Sequence, residues 1–239
     1  MMRWRSVSFA TALGVLNIVV GLPSMAGSSQ APPTTARAPV TLRPAASSSK
    51  DPDHAGFIQR WVLLEPIRVP PEVGEVAVQA VVKKAHFADQ FTVMPHDGQI
   101  LTVDGESLAW HAVDTPDYNV NLFHFAHAAG KPTSNVLFWA VTVVDAPRDF
   151  SGVRLAIGSN AASVWWLNGE EVIGLYDDRQ TVIDDGVSKR VTLKKGVNVI
   201  RAAIVNGGGA TDFCARFIDE DGNPVTGFTT RITTEAATR

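Results

Sequence analysis

The run Val136-Leu-Phe-Trp-Ala-Val-Thr-Val-Val144 is almost wholly apolar on both alternating faces, as a strand buried in the middle of a sheet must be. Shorter β-type segments surround it. Ile100, Thr102 and Val103 lead to the turn Asp104-Gly105, and Leu108 to Val113 follow. Asn119 to Ala128 also reads as β, and Val153, Leu155 and Ile157 alternate with Arg154 and Ala156. Val164 to Leu167 and Glu171 to Leu175 flank Asn168-Gly169, a strong hairpin signal because both residues accept positive φ. Lys194-Lys195-Gly196 and Asp221-Gly222 mark further turns beside the strand-like stretches 198–205 and 212–218. Many short strands separated by turn residues predict an antiparallel sandwich or barrel.

Before residue 98 the pattern is different. Phe57 to Leu64 suits a first strand ended by Pro66. Pro70 and Pro71, the early Glu72 and the late Lys83-Lys84 bracket a short amphipathic helix near residues 71–85. At the N-terminus, Arg3 and Arg5 precede a largely apolar stretch over 7–22, and Pro23-Ser24-Met25-Ala26 offers small residues for cleavage after Ala26. Residues 1–26 therefore read as a signal peptide, the alternative being a retained membrane anchor. Residues 27–53 are rich in Ser, Ala, Pro and Thr and read as a disordered linker. The folded domain is expected over 54–232, with a tail over 233–239. No stable membrane span is expected after leader cleavage. Cys214 is the single cysteine, so an exported chain has no internal disulfide and relies on core burial. A net charge of -3 without a basic stripe argues against nucleic acid as a partner.

The segment from Leu155 through Gly158-Ser159-Asn160 and Trp165-Trp166-Leu167-Asn168-Gly169 to Val172, with Val191-Thr-Leu-Lys-Lys-Gly196-Val-Asn198, resembles the galactose-binding-like domains of carbohydrate-active enzymes. That resemblance implies a mainly β fold, an antiparallel jelly-roll-like β-sandwich. Upstream, Pro95-His96-Asp97-Gly98, Leu108 to Asp114 and Tyr118 to Phe125 resemble short exported proteins that carry the label acetylxylan esterase. Where the galactose-binding-like pattern places Asp-Asp after Gly-Ser, this chain has Asn160-Ala161, which removes two carboxylates from that loop.

Alternation sets Trp165 and Leu167 on one strand face and Val164 and Trp166 on the other. One tryptophan is then expected in the core and one outward as a platform for a sugar ring, the alternative being that both lie inside. The expected ligand-binding set is Trp165, Trp166 or Trp110 for stacking, with Asn160, Tyr176, Asp177 and Arg179 for hydrogen bonding. Asp177, Asp178, Asp184 and Asp185 form two acidic loops that read as solvated turns or, alternatively, as a structural calcium site. No other cofactor is expected. His124 and His127 share i, i+3 spacing but lack an evident third ligand for zinc.

No nucleophile elbow or phosphate loop occurs in the sequence. A Ser-His-Asp set could be drawn only from Ser159, His111 or His124, and Asp184, and no spacing demands it. With what these resemblances imply, the reading is an exported, periplasmic or extracellular, non-catalytic carbohydrate-binding or interaction module linked to plant-polysaccharide use of the xylan type. The alternatives are a small acetylxylan esterase and a structural envelope protein.

Overall fold

The structure is a computed structural model that describes residues 42–71 and 74–233. The expected leader, the linker up to residue 41 and the tail beyond Thr233 lie outside the described residues. The strands begin with β1 (Arg43–Pro44), β2 (Ser49–Lys50), β3 (Arg60–Leu64) and β4 (Ile67–Arg68), followed by helix α1 (Glu75–Lys83). Next come β5 (Ile100–Val103), β6 (Glu106–Asp114), β7 (Val120–Asn121) and helix α2 (Leu122–Ala128). The second half holds β8 (Val136–Ala146), β9 (Phe150–Ser159), β10 (Ala162–Leu167), β11 (Glu170–Leu175) and β12 (Gly186–Val187). It closes with β13 (Val191–Leu193), β14 (Gly196–Asn206), β15 (Asp212–Ile218) and β16 (Thr229–Arg231).

The named strands pair antiparallel in two sheets, as the sandwich expectation required. The larger has eleven strands, seven along the path β1-β6-β3-β8-β14-β10-β11 with β2, β4, β5 and β16 attached beside it, and the smaller has five, four along β12-β9-β15-β7 with β13 also on β9. The β8 run does what its composition demands. Phe138, Ala140 and Val144 point between the sheets and meet Trp61, Trp165, Leu155, Phe213 and Phe217. Leu137, Trp139 and Val141 point to the opposite face. β14 pairs with β8 from Gly196↔Ala146 to Asn206↔Val136, so the two longest strands form the centre of the larger sheet.

That opposite face is not left to water. α1 lays Val78, Val81 and Val82 on it, each 9% exposed or less, and the segment after the helix adds Phe87 and Phe91. Burying each valine is worth about 1.5–3 kcal/mol, enough to hold a helix too short to persist alone. Two further contacts fix this cover. Arg201 on β14 donates to the carbonyls of Phe91 (2.6 Å) and Val93. Gln90 donates to the carbonyls of Val82 and Lys84 at 3.1 and 2.9 Å.

Three expectations need correction. The helix expected near residues 71–85 is present but spans only Glu75–Lys83, because its N-cap Gly74 has a φ of 84°, which is not helical. Residues 119–128 are not a strand beyond Asn121. The Asn121 side chain accepts from His124 N at 2.7 Å and caps α2, whose Leu122, Phe125 and Ala126 turn inward at i, i+3, i+4 spacing. Residues 42–53 are not a disordered linker. β1 pairs with β6, β2 pairs with β16, and the buried Arg60 binds Ser47 O at 2.8 Å while clamping Asp114 at 2.9 Å through Nε and Nη2. Backbone pairing holds this segment, and Leu42 and Ala45 pack against the core. Among the described residues, no helix is long and apolar enough to cross a membrane.

Candidate functional site

The turn from β9 into β10, the end of β14 and the start of the loop after β11 meet at one end of the sandwich. They enclose a crevice of about 260 Å³. Ala161, Ala162 and Val205 supply its apolar lining, and Ala162 faces Val205 directly in the β10–β14 register. Tyr176, Asp178, Asn206, Gly207 and Gly208 supply the rest. Asn160, half-buried, lies in the same turn and is held by its backbone N–H donating to Asp212 O at 2.9 Å.

Tyr176 is the aromatic group of the crevice, and its position follows from neighbours on three elements. Its hydroxyl accepts from Gln79 Nε2 of α1 at 2.6 Å, and the same amide donates to Glu171 Oε1 at 3.0 Å. Its carbonyl accepts from Gly74 N at 3.0 Å, which ties the start of α1 to this loop. The phenol lies over Gly174, where any β-carbon would collide with it. Burial raises the Tyr176 pKa, and the nearby Glu171 and Glu75 charges add to that against the lowering effect of the Gln79 bond. The group therefore stays a neutral phenol, able to donate as well as accept.

Asn206 is similarly fixed. Its Nδ2 donates to Thr133 O at 2.7 Å and its Oδ1 accepts from Gly208 N at 3.3 Å. Asp178 is exposed and free to accept hydrogen bonds. A half-buried ring beside a carboxylate, an amide and glycine backbone can meet both the apolar face and the hydroxyls of a small polar ligand.

The other expected site residues are placed elsewhere. Trp165 and Trp110 are 0% exposed and Trp166 is 6% exposed. Trp165 meets Trp61 and Phe213 edge-on between the sheets, with ring centroids 6.1 and 5.4 Å away. Trp166 stacks on Trp139 at 5.8 Å under the α1 cover, and Trp110 meets Phe87 at 6.2 Å. The expected outward platform is thus absent from these three positions, because the larger sheet is covered on both faces. Asp177 is exposed, while Arg179 is paired with Asp185.

Asp184 is paired with Arg216 through both carboxylate oxygens, so two of the four acids considered for calcium are engaged by arginines. Among the described residues, no three His, Cys, Asp or Glu side chains gather as a metal cluster would. The Ser-His-Asp candidates are not brought together. Ser159 is 0% exposed and its hydroxyl donates to Ala161 O at 3.0 Å. His111 lies 3.1 Å from Glu65. His111 and His124 line a separate pocket of about 370 Å³ with Asp97, beside β1 and α2.

Of the residues expected from sequence, Tyr176 lines this crevice and Asn160 lies in the adjoining turn, while Gln79 and Asn206 were not among those expected. Gln79 carries no local signal, since it acts across 97 residues. Asn206 could have been found, because it precedes Gly207-Gly208-Gly209, whose composition already marks a loop at a strand end.

No family model matches the chain, and no curated protein matches it. Among solved structures, a PA14 sugar-binding domain from an RTX adhesin aligns over 72% of this chain and 96% of its own, at 11% identity and a TM-score of 0.40. A β-glucosidase from Kluyveromyces marxianus, in complex with glucose, aligns over 46% of this chain and 13% of its own, at 23% identity and a TM-score of 0.33. A GH31 α-xylosidase from Xanthomonas citri aligns over 82% of this chain and 19% of its own, at 7% identity and a TM-score of 0.29. The alignments thus span only a small part of either enzyme.

Proposed function

We propose that this chain is an exported, non-catalytic carbohydrate-binding module that recognises plant polysaccharide of the xylan type through the crevice at Tyr176. The observation that carries this reading is the pre-set Tyr176 phenol, held by Gln79 and by the clearance over Gly174, beside Asp178 and the Asn206-Gly207-Gly208 turn. A ring held in place by neighbours loses little freedom on binding, which favours recognition of a weakly interacting sugar. Export is supported by Arg3 and Arg5, the apolar stretch over 7–22 and the small residues before Gly27. The non-catalytic part is supported by the separate partners of Ser159, His111 and Asp184, since acyl transfer needs nucleophile and base within hydrogen-bond reach.

The test is a glycan array with the purified chain, followed by calorimetry on xylo-oligosaccharides for Tyr176→Ala and Asp178→Ala. Binding that weakens in both variants, at unchanged melting temperature, supports the reading. Sugar binding indifferent to both would remove the crevice from it. Acetate release from acetylated xylan, abolished by Ser159→Ala, would replace it with the esterase reading.

A further inference from the structure

β11 borders the larger sheet and pairs with β10, and β13 borders the smaller and pairs with β9. At one end these borders converge, where Gly186 of β12 lies so close to Ile173 that a β-carbon would stand 3.2 Å from its Cγ2. Beyond that point they part and leave a groove of about 790 Å³. Glu170 and Glu171 line one side, and Lys189, Arg190, Thr192 and Lys194 line the other. Leu167, Val172 and Val191, which also touch the core between the sheets, contribute its apolar part. A shallower recess of about 450 Å³ shares Lys189 and Arg190 with it and extends past Ser188 to Arg154.

Elsewhere in the domain several cations are neutralised by acids. Arg60, Lys131, Arg179 and Arg216 each hold a carboxylate. Arg154, Lys189 and Lys194 have no carboxylate partner among the described residues, and Arg190 shares its Glu220 contact with solvent, both side chains being about 60% exposed. A chain of net charge -3 therefore places positive charge without carboxylate partners along one side of this groove. The facing Glu170 and Glu171 narrow the choice of ligand. They repel a bare polyanion such as polyphosphate or nucleic acid, yet accept hydrogen bonds from hydroxyl groups.

We infer that this groove is a second binding site, for an acidic polysaccharide whose uronic-acid carboxylates face Lys189, Arg190 and Lys194 and whose hydroxyls face Glu170 and Glu171. The groove has a lining of its own and shares with the hydrogen-bond network around Tyr176 only Glu171, whose Oε1 also accepts from Gln79.

The experiment measures binding of the purified chain to polygalacturonate, to the same polymer with its carboxyls reduced, and to polyphosphate. Lys189→Gln with Lys194→Gln removes two exposed charges, whose contacts together are worth about a tenfold change in affinity. That loss is expected on polygalacturonate, with binding that weakens as salt rises and is far poorer on the reduced polymer. Glu170→Gln is expected to weaken polygalacturonate binding and to improve polyphosphate binding. Tyr176→Ala should leave both unchanged, which separates this site from the crevice. Absence of polygalacturonate binding, equal affinity for the reduced polymer, or polyphosphate bound as well as polygalacturonate by the unaltered chain would overturn the inference.

Discussion

The Tyr176 phenol lies directly over Gly174, on the space a β-carbon at residue 174 would need. Just past the end of β11 the ring folds back over the strand, and only glycine beneath it permits this. Gly174→Ala is expected to displace the ring and break the Gln79 bond while the strand persists. Sugar binding should fall as far as it does in Tyr176→Ala, with a stability loss of about 1–3 kcal/mol from overpacking. Calorimetry and thermal melts on the two variants check this. Full binding by Gly174→Ala would show that the ring position does not matter.

Trp165 and Trp166 should behave as core residues rather than ligand contacts. Both are buried, one on each face of β10. Replacing either by Ala is expected to cost about 3–5 kcal/mol. Denaturant unfolding measures the loss directly. A folded Trp166→Ala variant of unchanged stability that had lost only sugar binding would restore the platform role.

Arg201 fastens the cover of the larger sheet without a carboxylate partner. Burial lowers its pKa to about 10, so the group stays charged at neutral pH at a cost in desolvation. Removing the charge relieves that cost, while removing the donors leaves the Phe91 and Val93 carbonyls unmet. The two effects oppose, so Arg201→Met is expected to change global stability little. The local effect is not offset, and hydrogen exchange over residues 86–95 should quicken markedly in this variant. Exchange as slow as in the unaltered chain would show that Phe87, Phe91 and Gln90 suffice.

Glu65 gives the fold an acid-sensitive contact. Burial alone would raise its pKa, but hydrogen bonds from Lys131, His111 and Ala109 N outweigh that and hold it below the usual carboxylate value. A carboxylate whose folded pKa is depressed stabilises above its unfolded pKa, and the contribution is lost as pH falls through the folded value. Glu65→Gln should therefore reduce stability at pH 7 by about 1–3 kcal/mol and flatten its decline below the unfolded glutamate pKa. Melting temperatures at a series of pH values test this. Parallel curves for the two proteins would exclude Glu65 as the sensitive group.

What the sequence disclosed was mostly local. The Val136–Val144 run announced a strand buried on both faces, and Asn168-Gly169 adopts the positive φ values, 53° and 87°, that a tight hairpin needs. Alternation correctly separated Trp165 from Trp166, but parity cannot say what covers the second face. That depended on α1 and on Phe87 and Phe91, which lie far away in sequence. The aromatic content of 119–128 imitated a strand, whereas the Asn121 cap decided for a helix. In the acidic loops, composition could not reveal that Arg216 arrives from β15 to claim Asp184, or that Arg179 turns back within its own loop to Asp185. The crevice was legible only where its residues sit in turns.

The larger sheet has a further consequence through its double cover. Its tryptophans are committed to holding three layers together, so sequence change at those positions is constrained by folding and not by what the domain recognises. Change is cheapest at exposed positions on strand ends and borders, such as the Gly207-Gly208-Gly209 loop and Lys189, Arg190 and Lys194, where no layer must be repacked. A lineage of such chains could therefore exchange one ligand for another by rewriting short exposed segments, while the buried aromatic framework stayed the same.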